Sequence, residues 1–355
     1  MFWKNKPLPK ETDRTSGIIE ELKQRDVYKQ VIVLPEHLKW CDQNDISITE
    51  IVKFVSCYYR PMTEEYVKYL LSFKDSIMLA IVSKKKNIIY GLISGYVSKM
   101  NMDESKEDFV IVNFICVHSS FRKKNMSVML IEELTRRYIE KGYNYGCFMS
   151  KNELDYPICK VNYYDRVINF NKMKPFMKLE SGMEEKHFNV LEKPSKDYQL
   201  AKPEDYEEMF NLYNKNVDRY NVSHNMDLET FKKYFTTNSF IKTYIIFKEK
   251  ITDFLCIRLY EDIFKIAELV FYTSSTEPVG NLVNEAIKIA NSYNVDVLRV
   301  PHQMNVSTAL LIPEEEDKVH ALGYRFMKTN KTNYFYTFNW KIKQILPKQI
   351  SFVMI

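Results

Sequence analysis

Residues 112–120, VNFICVHSS, form an apolar run that closes on two serines, and AELVFYTSS at 267–275 repeats the pattern about 155 residues later. Both runs predict strands. Behind each comes a segment whose apolar residues recur at three- and four-residue spacing, LIEELTRRYIEKGYN at 130–144 and LVNEAIKIANSYN at 282–294, the pattern of a half-buried helix. Each then returns to a strand. Further apolar runs stand ahead of each unit, SIMLAIVSK and IYGLISGYV in the first, KTYIIFKE and ITDFLCIRLY in the second. Strand, turn, helix and strand, given twice, predict an α/β (α+β) fold of two similar halves. The charged stretch LEKPSKDYQLAKPEDYEEM, with its two prolines, marks the expected junction and gives halves 1–190 and 191–355.

Composition narrows the function classes. The chain has 355 residues, 45% of them apolar, enough for a substantial core. Its 51 Lys and Arg against 46 Asp and Glu leave a net charge of only +5, too weak a field to argue for nucleic acid. Any anion site must therefore be local. The six cysteines (Cys41, Cys57, Cys116, Cys147, Cys159 and Cys256) form no C-x-x-C pair, so neither a zinc nor a disulfide framework is indicated and a reducing cytoplasm is expected. No apolar stretch approaches the roughly 20 residues of a membrane span.

The turn between strand and helix differs between the halves. The first has Arg122-Lys123-Lys124-Asn125-Met126-Ser127; the second has Thr276-Glu277-Pro278-Val279-Gly280. A helix N-terminus presents unpaired N–H groups and partial positive charge, so a preceding loop of cations and small polar residues suits a pyrophosphate. Glu277 would repel that anion and Pro278 removes a donor. The spacing Arg122-x-x-Asn125-x-Ser127 resembles the R-x-x-G-x-G/A loop with which the acetyltransferase-like fold grips acyl-CoA. A plain solvated turn is the competing reading of three adjacent cations.

Several segments, in order along nearly the whole chain, resemble the N-myristoyltransferase family. FWKNKPLPK is similar to that family's FWxTQPVPK, LPEHLKW to LPxGFxW, VNFICVHSSFR to EINFLCVHKKLR, and LIEELTRR to LIREITRR. YYDRVIN (163–169) is similar to YxHRxxN, TDFL (252–255) to VTDFLSF, and YFYTFNWK (334–341) to YYLYNWK. The resemblance implies two fused acetyltransferase-like (GNAT-type) halves, the first binding acyl-CoA and the second mainly the peptide. It implies transfer of a myristoyl group from myristoyl-CoA to an N-terminal glycine amine, without a metal, by a monomer; neither a nucleic-acid partner nor a transmembrane segment is expected.

Site residues follow from the same resemblance. The carboxylate of Ile355 is the expected general base, the backbone amides of Phe114 and Ile115 the oxyanion hole, and Asn113 a group that positions the amine. Acyl-CoA is expected against Phe2, Trp3, Cys116, Val117, Arg122, Lys123, Lys124, Asn125, Met126, Ser127 and Val128. The peptide is expected near Tyr163, Asp165, Asn330 and Tyr336. Cys116 and His118 share a strand face, which raises a Cys-His nucleophile as an alternative, although direct acyl transfer needs no covalent intermediate.

This chain departs from the family on the peptide side. The acidic loop that precedes the family's SPEFLxW segment is missing, since CYYRPMTEEYVKYLL (57–71) passes straight on, and no basic N-terminal extension like the family's is expected. The Thr-Ala-Gly turn becomes Met149-Ser150-Lys151, and the G-D-G turn becomes Thr329-Asn330-Lys331. Asp165 stands for the histidine of YxHR, which suggests a substrate Lys or Arg, and Asn125 stands for an Arg. These departures leave two rivals open: an acyltransferase of the same fold with another amine acceptor, and a non-catalytic acyl-CoA or peptide-binding module.

Overall fold

The computed structural model describes residues 6–22, 28–177, 184–190, 192–247, 249–275, 278–306 and 326–351. They fall into two units. The first comprises described residues of Met1–Cys159 and Tyr334–Gln344, the second those of Lys160–Asn333 and Ile345–Val353.

The first unit runs β1 (Gly17–Ile18), β2 (Leu38–Cys41), α1 (Ile48–Tyr58), α2 (Glu64–Leu71), β3 (Ile77–Ser83), β4 (Ile89–Met102), β5 (Ser105–Val117), α3 (Met126–Glu140) and β6 (Tyr145–Ser150). β2 to β5 pair antiparallel in succession, whereas β5 and β6 pair parallel across the α3 crossover. All seven residues of β3 are buried, as a strand covered on both faces requires. Ser47 and Glu50 start α1 with a capping box. Leu130, Leu134 and Tyr138 of α3 pack on Ile81, Ile93, Val97 and Val110 of the sheet. Gly91 permits that approach, since a Cβ there would lie 2.9 Å from Leu130 Cδ1 and 3.1 Å from Met126 Cγ. Buried Glu133 receives Arg136, Arg137 and the Ile32 amide, so the LIEELTRR motif also fixes the loop ahead of β2.

The second unit contains β7 (Cys159–Val167), α4 (Phe170–Met173), β8 (Tyr198–Leu200), α5 (Tyr206–Val217), β9 (Val222–His224), α6 (Leu228–Phe235), β10 (Ile241–Phe247), β11 (Ile251–Glu261), β12 (Lys265–Ser274), α7 (Val279–Ser292) and β13 (Val297–Pro301). Its sheet order is β7-β13-β12-β11-β10-β8. The β12–β13 pair is parallel across α7, the same unit as β5-α3-β6 in the first half. Thus both strand–helix–strand repeats are present. Phe231 and Phe235 of α6 pack against Phe254 and Phe271 of the sheet. The proline-bearing 190s segment belongs to this unit. Ser195 N–H donates to Glu285, Lys288 pairs with Glu192, and β8 adds to β10.

The chain closes with β14 (Phe326–Phe338), β15 (Trp340–Lys341) and β16 (Ile350–Ser351). Tyr334–Phe338 pair antiparallel with β6. Asn339, left-handed at φ 57°, donates its backbone amide to Pro7 and its side-chain amide to Glu20 and Asn144 carbonyls. Its Oδ1 accepts from Glu20 N–H, so the asparagine of the NW pair clamps the N-terminal segment.

Candidate active site

The end of β5 is irregular where the sequence places its site residues. Val112 pairs with Gly95 and Phe114 with Ser94, so Asn113 is an inserted residue with no cross-strand partner of its own. Side chains show the same insertion. Val112, Ile115 and Val117 all pack on the α3 side, and positions three apart share a face of a strand only across a bulge. Asn113 and Phe114 consequently both face away from α3, where the Phe114 ring lies 5.7 Å from that of Tyr59.

The parallel ladder between β5 and β6 ends at Val112–Phe148, while β4 stays paired along β5 to Val117. Among the described residues, one edge of β5 is thereby open from Asn113 onward. His118 donates its amide to Tyr90 O at 2.9 Å on the β4 side. Alternation then turns the Ile115 and Val117 amides toward the open edge, and the bulge sets the direction of the Phe114 amide. Asn113 Oδ1 and Nδ2 are shielded from solvent and have no hydrogen-bond partner among the described residues.

The basic turn follows directly. Lys123 and Asn125 are left-handed, at φ 63° and 57°, and Asn125 passes straight into helical Met126. This succession points consecutive amides into one concavity, an anion-binding geometry. Asparagine is the side chain that best tolerates this conformation in place of glycine, which accounts for Asn125 at the first glycine position of R-x-x-G-x-G/A. No side chain caps the α3 N-terminus, and its first turn has no acid. The turn borders a cavity of about 300 Å³ lined by Val117, Phe121, Arg122, Lys123, Asn125, Met126 and Ser127. Arg122 Nε reaches the Val117 carbonyl at 3.4 Å, and Lys124 Nζ sits 5.0 Å from the centre of the Phe121 ring. Val128 is half-buried in the first turn of α3. The turn of the second half differs: Pro278 precedes α7, and Thr276 and Glu277 lie outside the described residues.

Cys116 and His118 do not form a nucleophile pair. Burial pushes the Cys116 thiol up to about 11, against a smaller lowering by Arg122, so it stays protonated near neutrality. His118 is engaged elsewhere: its Nδ1 accepts the Ser120 amide at 3.2 Å, and its ring packs on Tyr58. It caps the short turn at Ser119–Phe121.

The peptide-side candidates are dispersed. Tyr336 is buried in the first unit, with its hydroxyl bonded to the Leu154 amide at 2.6 Å and carbonyl at 3.1 Å. Tyr163 and Asp165 lie on β7 and Asn330 on β14, in the second unit. Tyr163 is buried; its hydroxyl accepts from Asn333 Nδ2 at 3.0 Å, and Lys331 Nζ lies 4.5 Å from its ring centre. Thr329-Asn330-Lys331 are extended within β14 rather than forming a turn, and Asn330 is exposed. Met149 and Ser150 likewise end β6 as strand, and Ser150 Oγ accepts from the Asn152 amide. Both Asp165 oxygens are held by Arg299, at 2.8 Å each, so the charge expected to meet a substrate cation is already neutralised within the chain. The pair belongs to a row of alternating charges in register across four strands, Asp165, Arg299, Glu268 and Arg258. Nothing local in the sequence signals that row.

Phe2, Trp3 and Ile355 lie outside the described residues. Among the described residues, no group of three or more His, Cys, Asp or Glu could hold a metal ion, and no helix is long and apolar enough to cross a membrane.

The chain resembles known proteins along its whole length. Residues 18–161 match the family described as Myristoyl-CoA:protein N-myristoyltransferase, N-terminal domain. The chain is 23% identical to the glycylpeptide N-tetradecanoyltransferase of Drosophila melanogaster, over 99% of this chain and 80% of the relative. It is also 23% identical to that of Plasmodium falciparum, over 100% of this chain and 93% of the relative. The crystal structure of Saccharomyces cerevisiae N-myristoyltransferase with bound myristoyl-CoA superposes with a TM-score of 0.85 at 18% identity, covering 100% of this chain and 99% of that one. A GCN5-related N-acetyltransferase from Kribbella flavida shares the broader fold, with a TM-score of 0.51 at 9% identity, covering 84% of this chain and 70% of that one. With two strand–helix–strand halves and these full-length likenesses, the chain is similar throughout to N-myristoyltransferases, and its residues 18–161 match that family's N-terminal domain.

Proposed function

We propose that this protein transfers a tetradecanoyl group from its CoA thioester to the N-terminal glycine amine of protein substrates. The observation that carries this reading is the open edge of β5 at Asn113, directly followed by the uncapped, cationic turn into α3. The turn amides with Arg122, Lys123 and Lys124 hold the CoA phosphates. The main chain along Cys116 and Val117 holds the thioester arm, and Phe2 and Trp3 complete that side. The second unit supplies most of the peptide surface, with Tyr163 and Asn330 among its residues.

In the reaction, the amine nitrogen forms a bond to the thioester carbon and negative charge moves onto its oxygen. Amides of Phe114 and Ile115 stabilise that charge where it develops. Collapse breaks the C–S bond, the nitrogen gives up its second proton, and CoA leaves as the thiol that takes up a proton in exchange. An α-amine has a pKa of about 7.7–8.0, so a modest base suffices to neutralise it. The Ile355 carboxylate serves as that base.

Deleting Met354 and Ile355 tests the mechanism. Turnover is expected to fall about 10²–10⁴-fold, the usual contribution of a positioned base, with acyl-CoA binding retained. Full turnover in the truncated protein, with an unchanged thermal melt, would assign the base elsewhere. The Asp165–Arg299 pair favours attention to one rival, an acyltransferase for another amine, because the expected cation-binding carboxylate is taken. Acylation of an internal lysine in an N-acetylated peptide would establish that rival.

A further inference from the structure

The bulge leaves two neighbouring polar side chains with no hydrogen bond among the described residues. Ser94 is fully buried, and its Oγ has no partner among the described residues; the same holds for both amide atoms of Asn113. Burying such groups costs their hydration with no hydrogen bond in return, so their persistence points to a partner that arrives from outside the chain.

Their placement says what that partner is. Ser94 stands opposite Phe114 in antiparallel register, where facing Cα atoms lie about 4.5–5.5 Å apart. On β4, Ile93 and Val97 pack toward α3, and a Cβ on Gly91 or Gly95 would point the same way. Ser94 therefore faces the opposite side, which it shares with Asn113. The pair presents a hydroxyl and a carboxamide on one face of the sheet, next to the point where the β5–β6 pairing ends.

We propose that Ser94 is a second contact for the acceptor amine, working with Asn113. This rests on the acyl-transfer reading. A glycine ammonium has three N–H groups. Ser94 Oγ and Asn113 Oδ1 accept two of them, leaving the third to be removed by the base. Removing that proton frees a lone pair. Ser94 and Asn113 hold the nitrogen in place while the lone pair turns from the base to the thioester carbon, and one of the two remaining hydrogens leaves with the CoA thiolate as the amide forms. The new N–C bond then forms with the amine already oriented.

The test compares wild type, Ser94→Ala, Asn113→Ala and the double variant in peptide acylation, acyl-CoA binding and thermal melting. Ser94→Ala is expected to lower kcat/KM for the peptide about tenfold, equivalent to about 1.4 kcal/mol. Acyl-CoA affinity should stay within about twofold, and the two substitutions should combine less than multiplicatively. The melting temperature should hold or rise, because no internal bond is lost. Turnover within about twofold of wild type would overturn the inference, leaving a resident water between the two groups. A fall in rate accompanied by an equal loss of acyl-CoA affinity, or by a lower melting temperature, would overturn it too. An inactive wild type would refute the transferase reading itself, whereas an active wild type with an indifferent Ser94→Ala refutes only the role of Ser94.

Discussion

Replacing Asn125 separates backbone geometry from charge at the proposed phosphate turn. Asn125 sits at φ 57°, ψ 12°, exposed, and its side chain makes no capping bond. A substitution there changes the cost of the left-handed conformation and little else. For a β-branched residue that cost is about 1–2 kcal/mol, whereas glycine bears none. In the free protein an exposed turn can relax away from the strained geometry. Binding of CoA phosphates must then restore it, and the cost appears in affinity. Asn125→Val should therefore weaken acyl-CoA binding about 5- to 30-fold, since each 1.4 kcal/mol is tenfold. Asn125→Gly should bind about as well as wild type. Isothermal titration calorimetry at fixed ionic strength reads both variants. Equal affinity for Val and Gly would refute the reasoning, because the concavity formed by Asn125, Met126 and Ser127 would then not be the phosphate site.

Other expectations follow from charge and packing. Lys123→Glu combined with Lys124→Glu should weaken acyl-CoA binding by tens of fold, as charge-assisted contacts contribute about 1.5–3 kcal/mol each at most, and the deficit should shrink at high salt. Gly91→Val should destabilise the fold by about 1–3 kcal/mol in a denaturant titration, because Leu130 and Met126 already occupy the space of a side chain. Iodoacetamide at mildly alkaline pH should label exposed Cys57 and spare Cys116, whose thiol is buried and pushed up to about 11, as peptide mass mapping would show. Burial raises the Glu268 carboxyl, but Arg258, Lys331 and Arg299 outweigh it and hold the group down to about 2. A depressed carboxylate contributes stability above its ordinary value of 4.5 and loses it as pH falls toward 2, so acid titration of the melting temperature should decline across that window and flatten in Glu268→Gln.

The sequence displays what is local and periodic. The strand–helix–strand repeats were legible because the apolar spacing changes from continuous to three-and-four at Ser119–Ser120 and again at Ser274–Ser275, and the structure has both units. The phosphate turn was legible from the basic run Arg122–Lys124 and from asparagine at a glycine position. Asn113 gave a signal as the one amide in an apolar strand, but the bulge depends on its pairing with β4, which no spacing within β5 reveals. Partnerships across long separations were hidden. Arg299 lies 134 residues from Asp165, and the Tyr336 hydroxyl finds Leu154 across 182 residues. Thr329–Lys331 read as a turn through the likeness to G-D-G, yet without glycine the segment is extended as strand.

The central claim is transfer of an acyl group to a glycine amine. The purified chain, incubated with myristoyl-CoA and matched peptides that begin with free glycine, with N-acetylglycine or with alanine, gives the most direct answer by mass spectrometry. The account predicts one tetradecanoyl group on the N-terminal nitrogen of the free-glycine peptide, located by fragmentation, with CoA released in equal amount and the acetylated peptide unchanged. Modification of the acetylated peptide at a lysine, or CoA release without any acylated peptide, would contradict it.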